Sequence, residues 1–177
     1  MRKLVVFASL VVAGLLAVAA TMAFATGSHG KKFEAKLNGY NEVTSKSTVA
    51  HGTFTAKVVG NEIHYRLSYS NLETPALFAH VHFSQQHVNG GISFFLCGGA
   101  PPDSDKGPCP PTTGTVTGVI DAADIIGPGT AGPNDQGIEP GSLSEAIRAM
   151  RAGATYANVH SERFPGGEIR GQIKVAD

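Results

Sequence analysis

The chain has 177 residues with 14 basic and 14 acidic side chains, so its formal net charge is zero. That balance lacks the concentrated basic surface that nucleic-acid binding requires. With 22 Gly, 10 Pro, no Trp and two Cys, the composition favours many short strands and turns over long helices.

The N-terminus reads as an export signal. Arg2 and Lys3 precede an apolar run from Leu4 to Ala20, and Ala23-Phe24-Ala25 offers a small-x-small cleavage site, which is the pattern of a secretory signal peptide over 1–25. An uncleaved N-terminal anchor is the alternative, because the run approaches spanning length. Residues 26–32 form a short polar lead. The remaining domain, 33–177, is a single unit of about 150 residues, enough for one core. No segment of this mature part is apolar enough to span a membrane.

Alternation of apolar and polar residues marks the strands. Phe33, Ala35 and Leu37 share one face of a first strand, and Asn38-Gly39 turns the chain. A second strand runs from Ala50 to Val59, and Gly60-Asn61 makes a hairpin turn to a third, Glu62 to Ser70. In that third strand Ile63, Tyr65, Leu67 and Tyr69 face inwards, while His64, Arg66 and Ser68 face out. Phe78 to Ser84, Ile92 to Leu96 and Gly114 to Asp121 are further strands. Between them Cys97 and Cys109 flank a loop of turn formers, and in an exported protein such a pair reads as a disulfide. Asp124 to Gly141 shows no periodicity.

A helix is expected over about 143–152, opened by a Ser142-x-x-Glu145 capping box and stopped by Gly153. Tyr156 to Ser161 and Glu168 to Val175 close the chain as two strands around Phe164-Pro165-Gly166-Gly167. Glu168 and Arg170 read as an exposed ion pair on the last strand. The expected fold is all-β: an antiparallel, Greek-key-like sandwich or barrel of about seven or eight strands with one short helix.

The chemistry concentrates in two strands. Parity sets Val81, Phe83 and Val159 on one face and His80, His82, Asn158 and His160 on the other, a polar face expected to be solvated. Histidines two apart on a strand can converge on one ion, and a third imidazole completes a set suited to copper or zinc. Glu168, Glu162 or His64 is the candidate fourth ligand. The alternative is an ordinary polar face. Asp103, Asp105, Asp121 and Asp124 could suggest oxygen-ligand calcium sites, but they do not continue as an EF-hand loop. Ser161 follows His160 without a nucleophile-elbow pattern, and no phosphate-binding glycine loop precedes a helix, so no catalytic residue is assigned.

Several motifs taken together are similar to a known family. Phe33 to Gly39 with Glu42-Val43, then Ala79-His80-Val81-His82, Ala152 to His160, and Phe164 to Gln172 resemble the CHRD (chordin-type) domain, which also occurs as a single exported unit in microbes. The resemblance covers roughly 33–175, and the 97–109 cysteine loop stands outside the family pattern. It implies a β-rich extracellular domain of poorly defined role, and the secreted signalling partners of chordin-like proteins do not carry over to a single-domain chain; an extracellular or cell-envelope protein is the partner class that export leaves open. His80-x-His82 also resembles a strand of Cu/Zn superoxide dismutase, although the rest of that enzyme's ligand pattern is not recognisable. Three readings result: a non-catalytic exported domain holding copper or zinc, a structural or interaction module without metal, and a dismutase-like metalloenzyme.

Overall fold

The computed structural model describes residues 32–101, 104–129 and 135–176. The expected signal segment 1–25, the lead over 26–31 and Asp103 lie outside these described residues. Lys32, assigned to the lead from sequence, already belongs to the first strand.

The elements are β1 (Lys32–Asn38), β2 (His51–Val59), β3 (Glu62–Ser70), β4 (Ala76–Phe83), β5 (Gly91–Gly98), β6 (Gly114–Ile120), α1 (Leu143–Arg151), β7 (Thr155–Ser161), β8 (Ile169–Gln172) and β9 (Lys174–Val175). One antiparallel sheet holds all nine strands in the order β5-β4-β7-β8-β1-β2-β3-β6, with β9 beside β1. The terminal strands β5 and β6 approach each other, and the Tyr65 hydroxyl of β3 donates to the Leu96 carbonyl of β5 at 2.5 Å. The sheet is therefore curled nearly into a barrel, which hides apolar side chains on its concave face.

Two strand regimes follow from the sequence pattern. In β1, β2 and β3 exposed and buried residues alternate strictly, as a sheet with one wet face requires. Phe33, Phe54, Ile63 and Leu67 fill the interior from these strands. Truncating a ring such as Phe54 to Ala would cost about 3–5 kcal/mol. In β7, by contrast, every residue is buried, and in β4 the run Ala79–His82 is buried on both faces.

Two expectations change. The last strand breaks at Ile173, whose N–H donates to the Thr155 carbonyl, so the predicted Glu168–Val175 strand becomes β8 and β9 and the count rises to nine. Ser142 makes no side-chain cap bond to α1; its carbonyl accepts from Glu145 and Ala146 instead. A reciprocal cap occurs at the short 3₁₀ turn Ala122–Asp124, where Asp121 accepts from the Ala123 N–H and Asp124 accepts from the Asp121 N–H. Leu143, Ala146, Ile147 and Met150 of α1 bury their apolar face in the core as their helical spacing requires. The Cys97–Cys109 disulfide is formed and ties the end of β5 to the loop before β6.

Candidate metal centre

The centre lies on the convex face of the sheet, where β4, β7 and β8 run side by side. Cross-strand register sets Phe78 opposite His160, His80 opposite Asn158, His82 opposite Tyr156, and Asn158 opposite Arg170. All these side chains share one face by strand parity. The sequence places them on a solvated face, and the structure corrects this: His80 is 1 % exposed, His82 9 % and His160 5 %.

Three loops cover the face. From the segment after β1, Glu42 accepts from Asn158 Nδ2 at 2.6 Å and the Thr48 hydroxyl donates to Glu168 Oε1 at 2.9 Å. From the β4–β5 connection, Val88 O, Gln85 O and Asn89 Oδ1 all accept from the Arg170 guanidinium. The turn between β7 and β8 brings the Pro165 carbonyl to His160. Gly167 sits in that turn with φ 119°, where only glycine is at ease; a Cβ there would stand 2.7 Å from Glu42 Oε1. A polar layer thus forms outside the sheet, separate from the apolar interior.

Within it three imidazoles converge. His82 and His160 sit about 13 Å apart along the strand register, four residues in terms of β7. Both lean towards His80, which brings the ring centroids of His80–His82 and His80–His160 to 4.4 Å and those of His82–His160 to 6.2 Å. One ring nitrogen from each lies within 4.8 Å of the other two. Tetrahedral Zn(II) with Zn–N of about 2.0–2.1 Å sets its nitrogens about 3.4 Å apart, so closing the set on an ion needs ring movements of about 1 Å.

The hydrogen bonds set the tautomers. His82 Nδ1 lies 2.8 Å from the Gly90 carbonyl and His160 Nδ1 lies 2.9 Å from the Pro165 carbonyl. A carbonyl only accepts, so Nδ1 carries the proton in both neutral rings and Nε2 keeps its lone pair. Those two Nε2 atoms, with His80 Nδ1, are buried without a hydrogen-bond partner. Metal-ligating histidines show this arrangement, one nitrogen on the metal and the other donating to a carbonyl. Burial also pushes His82 and His160 down from 6.5 to about 4, opposed by those carbonyl bonds. His80 falls well below 6.5 through burial and then through its two imidazole neighbours. All three rings are neutral at pH 7, the form that binds metal.

Aromatic rings wall the group. Phe78 lies 4.8 Å from His160 and 5.3 Å from His80, and Phe95 meets His80 edge-on at 5.2 Å. Tyr156 stacks on His82 at 4.6 Å, and the Arg170 guanidinium lies 3.3 Å from the centre of the Tyr156 ring.

The candidate fourth ligands fall outside the group. His64 is exposed on β3, paired with Glu62 at 2.8 Å, and five places from β4 in the sheet order. Glu162 is exposed beyond β7. Glu168 is fully buried, but its Oε1 accepts from Thr48 and from the Glu73 N–H, while Oε2 has no partner. The expected Glu168–Arg170 ion pair does not form: Arg170 turns to the β4–β5 loop and Glu168 to Thr48 and Glu73. Asp121 and Asp124 cap a turn, and Asp105 and Asp124 pair with Lys106.

Sequence reading singled out the three histidines but not their supports. Glu42, Tyr156 and the carbonyls of Gly90 and Pro165 complete the face. The signal for Tyr156 is its parity, which it shares with Asn158 and His160. Backbone carbonyls leave no such mark in a sequence.

A family model described as the CHRD domain matches residues 33–173. No curated protein and no solved structure matches the chain.

Proposed function

We propose that this chain, which belongs to the CHRD domain family, is an exported, non-catalytic domain that holds one copper or zinc ion between His80, His82 and His160. One observation carries the reading: three buried imidazoles each keep a ring nitrogen without a hydrogen-bond partner, and one ring nitrogen from each lies within 4.8 Å of the other two. An unpaired buried polar atom is costly, and an ion shared by the three repays all of them at once. Export is supported by the disulfide, which persists in oxidising compartments, and by the signal pattern of the first residues. The non-catalytic reading is supported by the burial of all three rings, which leaves them little contact with solvent.

The test is a melting scan of chelator-stripped protein with a metal panel, together with measured stoichiometry. A ligand that binds the folded state raises the melting temperature, and uptake of about one ion per chain is expected. Undiminished uptake after all three histidines are replaced by Ala overturns the proposal.

A second reading, an extracellular structural or interaction module without metal, draws on the packing of the same imidazoles against Phe78, Phe95 and Tyr156. Under it, added metal leaves the melting temperature unchanged.

A further inference from the structure

Resting on the metal-binding reading above, we propose that the centre selects monovalent copper, Cu(I), over Cu(II) and Zn(II). The argument concerns charge first. The donor set is three neutral nitrogens, and among the described residues no carboxylate or thiolate joins it. An ion held there keeps its full charge. The cost of burying an ion grows with the square of its charge, so a divalent ion meets a desolvation cost about four times that of a monovalent one.

The nearest fixed cation sharpens this. Arg170 stacks on Tyr156, and Tyr156 stacks on the ligand His82, so a guanidinium sits one ring behind the centre. Two buried carboxylates share the face, and both have other partners. Glu42 takes the Asn158 amide, and Glu168 Oε1 takes the Thr48 hydroxyl and the Glu73 N–H.

Coordination number points the same way. Zn(II) closes a tetrahedron and Cu(II) favours a tetragonal set, so each needs at least one more donor than the three imidazoles. Phe78, Phe95 and Tyr156 pack against the three rings, so the immediate neighbours of the imidazoles are aromatic side chains that offer no strong donor. Imidazole is a ligand that copper accepts, and Cu(I), content with three donors, is the ion that this set can satisfy without a fourth.

Glu168 is the residue that would contradict this, because its Oε2 is buried without a partner and a divalent ion could draw it in.

The experiment titrates metal-free protein anaerobically with Cu(I), kept reduced by ascorbate, against the chromophoric chelator bicinchoninate. Zn(II) and Cu(II) are titrated in parallel against their own chromophoric chelators. Cu(I) is expected to bind at least about 100-fold more tightly than either divalent ion. Equal or tighter binding of Zn(II) or Cu(II) overturns the selectivity and leaves the metal centre standing. No uptake of any of the three overturns both. Glu168→Gln, checked for folding by its melting curve, is expected to leave Cu(I) affinity unchanged. A loss of about tenfold or more would make Glu168 a ligand and overturn the neutral three-nitrogen centre. The wild-type titrations decide the matter even if that variant fails to fold.

Discussion

Asn158 Nδ2 donates to Glu42 Oε1 at 2.6 Å and to the Ile169 carbonyl at 2.9 Å. Through this side chain β7 is tied at once to its neighbour β8 and to the loop that follows β1. Asn158 lies directly opposite His80, so the residue that fastens the cover stands beside the central imidazole. Burial raises Glu42 to about 7, against the lowering effects of Asn158 and Arg170. Cover and centre are therefore one polar layer, and their properties are linked.

Acid stability of the metal-free protein reports that layer. His82 and His160 have folded values of about 4, below their ordinary 6.5, and His80 is lowered too. The unfolded chain thus binds more protons at these rings, and their contribution is present above pH 6.5 and lost as pH falls towards 4. Glu42 acts oppositely: its folded value of about 7 exceeds 4.5, so its contribution is present below pH 4.5 and lost as pH rises through 7. A shift of this size corresponds to about 3 kcal/mol per group. Three rings outweigh one carboxyl, so stability rises between pH 4.5 and 6.5, and Glu42→Gln makes that rise steeper. Urea unfolding across this range in the presence of chelator measures both; a wild-type stability that falls over the window refutes the balance.

Ligand and non-ligand histidines separate by substitution. His82→Ala and His160→Ala are each expected to weaken copper uptake by more than about 100-fold, beyond the 10–100-fold typical of an outer partner. His64→Ala, at an exposed ring paired with Glu62, leaves uptake unchanged. Competition titration of the three variants checks this, and a parallel loss in His64→Ala would place the ion elsewhere.

Arg170 holds the β4–β5 loop. Arg170→Ala removes bonds to Asn89, Val88 and Gln85 and the contact with Tyr156, and it strands carbonyl groups beneath the loop. The expected destabilisation is about 2–4 kcal/mol, with amide exchange accelerated first over residues 84–90. Hydrogen exchange resolved by segment checks it; exchange rising evenly over the whole sheet instead would show that Arg170 does not act through this loop.

Reduction of the Cys97–Cys109 disulfide opens a loop with a sequence separation of 12. Chain entropy assigns such a closure about 3 kcal/mol. Denaturant unfolding with and without reductant is expected to show a loss near that size while the folded protein keeps its β-sheet circular dichroism. An unchanged midpoint would mean that the loop is restrained without the bond.

The strands themselves were legible because burial on one face writes a period of two. Phe54, Ala56 and Val58 against Thr53, Thr55 and Lys57 leave little choice of register in β2. The same period put His80, His82 and His160 on one face without any knowledge of which strands are neighbours. It failed at the cover. A polar face looks the same in sequence whether water or another loop lies over it, so His80, Arg170 and Glu168 read as solvated. The capping box at Ser142 failed for a related reason: the local motif was present, but the backbone at Ser142 entered the helix without offering its side chain.

By itself, then, the sequence determined the all-β character, the strand faces, the cysteine pair and the three histidines, because each is written in residues close together along the chain. Only the tertiary structure decided that β4 and β7 are neighbours, that Glu42, Arg170 and the carbonyls of Gly90 and Pro165 seal and orient the imidazoles, and that the rings are buried. Those facts depend on contacts between residues as far apart as Glu42 and Asn158, and on backbone groups that every residue carries, so side-chain identity along the chain holds no record of them.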